Sequence, residues 1–140
     1  MRNVGLQAKP NFKKPSADKF NLRADVDLPS GFSPEGKSVT VDVGGAQVSF
    51  TLNAKGRGTN ALGNCKLSFN AKTNIWTLKV NQHKGSWHTP WDAAGLANLD
   101  VPKPGTPVTI TVVALIDNEG FAVDAPLTYT AKAGKSGVAK

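Results

Sequence analysis

From Phe20 onward, apolar and polar residues alternate with a period of two, the pattern of strands that bury one face. Phe20, Leu22, Ala24, Val26 and Leu28 alternate with Asn21, Arg23, Asp25 and Asp27 until Pro29-Ser30-Gly31 breaks the run. Val39, Val41 and Val43 alternate with Thr40 and Asp42, and after Gly44-Gly45 the pattern resumes at Ala46, Val48, Phe50 and Leu52. This predicts a hairpin, because glycine accepts the positive φ that a two-residue turn needs. Residues 53–64, rich in Gly, Lys and Asn, predict a polar loop.

A second hairpin is predicted from Cys65, Leu67 and Phe69 followed by Trp76, Leu78 and Val80, which places all six side chains inward. Val108, Ile110, Val112, Ala114 and Ile116 predict a longer strand that turns at residues 117–120 into Phe121-Ala122-Val123 and then Leu127-Thr128-Tyr129. The one helical signal is Thr89-Pro90-Trp91-Asp92-Ala93-Ala94-Gly95-Leu96, with Thr89 as N-cap, Pro90 in the first turn and Asp92 completing a capping box. The reading is an all-β, immunoglobulin-like antiparallel β-sandwich of seven to eight strands, with one short crossover helix near residues 90–97.

A chain of 140 residues, 39% hydrophobic and 19% charged, can bury one core without staples. Its single cysteine, Cys65, excludes an internal disulfide. Neither a signal-peptide run nor the ~18 apolar residues of a spanning helix occurs, so no membrane insertion is expected and any export signal lies outside this stretch.

The net charge of +7 changes meaning once it is located. Arg2, Lys9, Lys13, Lys14 and Lys19 against Asp18 at one end, with Lys132, Lys135 and Lys140 at the other, supply the whole excess. Residues 20–130 are then neutral, and no nucleic-acid partner is expected for that body, since phosphate binding needs clustered Lys and Arg. The division that follows is a basic flexible tail at 1–19, a β-sandwich at 20–130, and a basic flexible tail at 131–140.

Candidate chemistry is sparse. Gly134-Lys135-Ser136 ends like a phosphate-binding loop, but Tyr129 stands where that loop needs glycine and no helix can follow, so it reads as linker. His83, His88 and Asp92 lack the spacing of a metal site, and Asp117-Asn118-Glu119 serves as a hairpin turn as well as it would serve calcium. Cys65 faces inward and is expected to be inert. Asp25 and Asp27 read as a solvated strand face. No catalytic residue, cofactor or metal is expected.

The strongest binding candidate is the cluster Trp87, His88 and Trp91, which could stack on sugar rings or anchor a protein. The competing reading makes Trp91, with Leu96 and Leu99, a plug for the sandwich end. Trp76 is expected in the core.

The runs GKSVTVDVGGAQVSFTLNAKGRG, GSWHTPWDAAGLANLDV and LTYTAKAGKSG are similar to repeat units of large exported bacterial surface proteins, over residues 20–137. The resemblance implies an immunoglobulin-like module, monomeric by itself, extracellular or on the cell surface, with the tails as linkers. Its role would be structural or adhesive and non-catalytic, with neighbouring domains, other proteins or glycans as partners. A carbohydrate-binding module using Trp87 and Trp91 is the alternative.

Overall fold

A computed structural model describes residues 1–140. The strands are β1 (Arg2–Lys9), β2 (Asp18–Val26), β3 (Ser38–Val43), β4 (Ala46–Thr51), β5 (Arg57–Asn60), β6 (Gly63–Asn70) and β7 (Ile75–Gly85), then β8 (Val101–Ile116), β9 (Glu119–Lys132) and β10 (Ser136–Ala139). One helix, α1 (His88–Ala93), lies between β7 and β8. The chain is all-β, and its ten strands form one antiparallel sheet in the order β4-β3-β8-β9-β10-β1-β2-β7-β6-β5.

The sheet curls until its two outermost strands meet. Gly58 of β5 lies so near β4 that an added Cβ would stand 2.9 Å from the Phe50 Cβ and 3.0 Å from the Thr51 carbonyl. Asn60 closes the seam by donating from Nδ2 to the Ser49 carbonyl at 3.3 Å and to Gln82 Oε1 at 3.2 Å. Curled in this way, the apolar faces of β2, β6 and β7 share one core with those of β3, β4 and β8. Each buried Val, Leu, Ile or Phe among them contributes about 1.5–3 kcal/mol relative to exposure.

The alternating runs become strands as expected, and the Gly44-Gly45 turn sets the register with Val43 opposite Ala46. Three expectations change. Residues 53–64 hold strand β5, which apolar alternation could not show because its buried residue is a glycine. The two short runs after residue 120 are a single strand, β9, making ten strands in place of seven or eight.

The third change concerns the tails, which are strands in the centre of the sheet. β1 pairs with β2 from Lys9↔Lys19 to Arg2↔Asp25, and β10 pairs with β9. Phe12 N donates to the Lys135 carbonyl at 2.9 Å and Gly137 N to that of Pro10 at 3.0 Å, so the two chain ends hold each other. Gly134-Lys135-Ser136 is the β9–β10 turn, with Gly134 at φ +71°, which a flexible linker would not fix. Gly137 is needed because the Tyr129 ring fills the place of its side chain.

Tyr129 is buried and donates its hydroxyl to the Ala97 carbonyl at 2.8 Å. Burial, helped by the charge of Asp92, pushes its phenol up to about 12. It is the only tyrosine, so absorbance near 295 nm reads one group. The expected midpoint is about pH 12 in the folded protein and about 10 in denaturant. Because the folded pKa is the higher one, this contribution to stability is complete below about pH 10 and is lost as pH rises toward the folded value. A native midpoint near 10 would contradict the burial.

Candidate functional site

Two places gather side chains of interest, at opposite ends of the central strands. The first, at the Lys9–Lys19 end, is the corner of Trp87, His88 and Trp91. Trp87 occupies the N-cap position of α1 without a side-chain cap, and Thr89 lies inside the helix, so the expected Thr89 capping box does not form. The start of the helix is fixed instead by Asp18, whose Oδ2 accepts from Trp87 N at 2.8 Å. At the other end Gly95, with φ +98°, donates to the Asp92 carbonyl, and Leu96 N donates to that of Trp91 at 2.8 Å. This is a Schellman end, and it limits α1 to under two turns.

Trp91 is 0% exposed, with Nε1 donating to the Val43 carbonyl at 2.9 Å. Trp87 is 8% exposed, its ring 5.2 Å from Trp91 and 5.3 Å from Phe20. These tryptophans therefore cannot present a stacking surface: they close the end of the core. Leu96 joins them, whereas Leu99, expected in the same plug, is exposed. Only His88 of the three reaches solvent, with Nδ1 3.4 Å from Asp18 Oδ2 and its ring 6.0 Å from Phe12.

The second place is at the far end, where β2 leaves the sheet and the β6–β7 hairpin turns. Phe69 and Trp76 are directly paired across that hairpin, their rings 5.0 Å apart, and Phe32 meets Trp76 edge-on at 5.5 Å. Both point inward as the alternation requires, yet the packed interior stops at Leu67 and Leu78, so Phe69 is 47% exposed and Trp76 half-buried. One expectation is corrected here: Trp76, expected in the core, is only packed against its end, and Phe69 faces inward but stays exposed.

Facing them is the turn Pro29-Ser30-Gly31-Phe32, closed by Phe32 N donating to the Pro29 carbonyl at 3.1 Å. Gly31 has φ +79°, which suits the third position of a type II turn and which a side chain would strain. Turn and hairpin enclose a cleft of about 350 Å³, lined by Leu28, the turn, Phe69, Asn74 and Trp76, with no charged side chain. Asn74, at φ +61°, is held at the hairpin tip by its N–H to the Asn70 carbonyl at 2.8 Å. The arrangement offers ring faces, an amide and a hydroxyl.

The ionisable groups nearest this end serve the fold. Asp25, expected on a solvated face, is buried between Asn3 Nδ2 and Thr77 Oγ1, each at 2.8 Å. The Asn3 amide first, and then the Thr77 hydroxyl, hold its carboxyl below the usual range. Asp27 pairs with Arg2. Elsewhere, burial pushes the Cys65 thiol up to about 12, which keeps it protonated at neutral pH. Asp117-Asn118 forms the β8–β9 turn, its carboxylate 3.7 Å from Lys37 Nζ.

No family model, curated protein or solved structure matches this chain.

Proposed function

We propose that the chain is a non-catalytic adhesive β-module whose contact is the Phe32–Phe69–Trp76 cleft, taking a neutral sugar ring. The observation that carries this reading is the half-exposed Phe69 paired with Trp76. An apolar ring left in water at a strand end costs solvation free energy that a stacked partner recovers.

The cleft volume falls at the small end of ligand pockets, and its lack of charge suits a neutral ligand with one apolar face. A pyranose has that character: its C–H face stacks on a ring, while its hydroxyls bond Asn74 and Ser30. The immunoglobulin-like arrangement and the exported, surface-borne setting belong to the same proposal. They are supported by the resemblance of three runs to surface-protein repeats. A purely structural spacer is the second reading, favoured by the burial of Trp87 and Trp91.

Tryptophan emission tests the cleft directly, because the other two tryptophans are buried. A panel of neutral oligosaccharides is expected to include one that shifts or quenches emission and protects against acrylamide. Phe69→Ala is expected to weaken that binding about tenfold, the scale of one aromatic contact. No response across the panel leaves the spacer reading.

A further inference from the structure

Six of the eight basic residues expected in two flexible tails are folded into one end of the molecule, whereas Arg2 pairs with Asp27 at the other. Lys9 and Lys19 face each other across β1 and β2. The bond from Phe12 N to the Lys135 carbonyl brings Lys13 and Lys14 beside Lys135, and the β9–β10 turn adds Lys132. The molecule's ion pairs involve Arg2, Arg23, Lys37 and His88, so none of these six lysines is paired. Asp92 and Asp100 are the exposed carboxylates nearby, while Asp18 is sealed in the interior.

Leu99 lies at the same end and is 59% exposed, the highest value among the large apolar side chains. Its loop is docked on the basic turn from both sides, since Asn98 Oδ1 accepts from Gly134 N at 2.7 Å and Asp100 Oδ1 from Ala133 N at 3.0 Å. An apolar tip is thereby fixed among unpaired lysines. Nucleic acid suits this end less well. Its unpaired cations are all lysines, without the planar fork that grips phosphate in two places, and of its two rings outside the core Phe12 is only half-exposed and His88 is turned toward Asp18.

We infer that this end docks on an anionic lipid surface, with the six lysines over the headgroups and Leu99 entering the interface. Lysine near such a surface contributes additively and over a Debye length, and one shallow apolar side chain adds to it without spanning anything. The contact is independent of the aromatic cleft, which lies at the opposite end of β1 and β2.

Co-sedimentation of the whole chain with vesicles tests it. Binding is expected to vesicles of phosphatidylcholine with 30% phosphatidylglycerol at 0.1 M salt, and not to phosphatidylcholine alone. Lys13→Gln/Lys14→Gln/Lys135→Gln is expected to lower the partition coefficient about 100-fold, and Leu99→Ala about tenfold. Far-UV circular dichroism and the Tyr129 titration establish that each variant is folded. Equal binding to both vesicle types, or indifference to the lysine substitutions, overturns the inference. So does Leu99→Ala binding as the parent does while soluble heparin competes fully, which would mark a polyanion site without a bilayer.

Discussion

Removing residues 1–10 is expected to abolish folding of the remaining chain. β1 lies between β10 and β2, so its loss strips two interior ladders and uncovers strand edges where no edge protection exists. It also removes the buried Leu6 and Ala8, the Pro10 carbonyl that holds Gly137 N, and the Asn3 amide that holds Asp25. Burial of Leu6 and several ladder bonds together exceed a large part of the roughly 5–15 kcal/mol by which such domains are stable. Residues 11–140 should show no cooperative urea transition, with weak far-UV signal. A peptide of residues 1–10 added in excess should restore part of that signal by completing the sheet. A truncated chain with an unchanged urea midpoint would mean that β1 is a dispensable tail.

As a sequence the same residues carry little strand signal. Val4, Leu6 and Ala8 alternate over only five residues, one of them the small Ala8, and the lysines with Pro10 and Pro15 that follow carry no strand pattern. β10 offers only Gly137, Val138 and Ala139, small because the Tyr129 ring and the core leave no more room. Strands chosen for close approach carry little apolar signal, which is also why β5 was hidden behind Gly58. By contrast β2, β3, β4 and β8 from Val108 onward are legible because their buried positions are mostly large and regularly spaced, whereas Val101–Pro107 of β8 bury no side chain.

The candidate site shows a different limit. Periodicity gave the facing of Phe69 and Trp76 correctly, since both lie on the inward side with Leu67 and Leu78. Depth along the strand was not in the pattern: it depends on where the opposing part of the sheet ends. The burial of Trp87, expected in a loop, and of Trp91, expected in the short helix, escapes the pattern for the complementary reason. Their segment crosses the end of the core, a tertiary fact, and only Gly85, flush against the Trp87 ring, hinted at tight packing. The signal that could have drawn attention to the cleft is the turn Pro29-Ser30-Gly31 placed before an aromatic residue, Phe32.

Asp18 carries the second large effect, and nothing near it in sequence separates it from the surrounding charges. Its carboxylate is 0% exposed and accepts from Asn11 N and from Trp87 N, each at 2.8 Å. One side chain thus joins the loop after β1 to the start of α1, on which the Trp91 plug and the Leu99 loop depend. Asp18→Ala is expected to cost about 2–5 kcal/mol, because two N–H groups lose a charged acceptor and at least one stays buried without a partner. Asp18→Asn keeps one carbonyl oxygen in place and should cost roughly half as much. Urea midpoints at constant m-value measure both. The ordering separates causes: if Ala and Asn cost the same, charge on Asp18 is what matters, as its approach to His88 would require. If Asn is the milder, the hydrogen bonds to the two backbone amides hold this corner together.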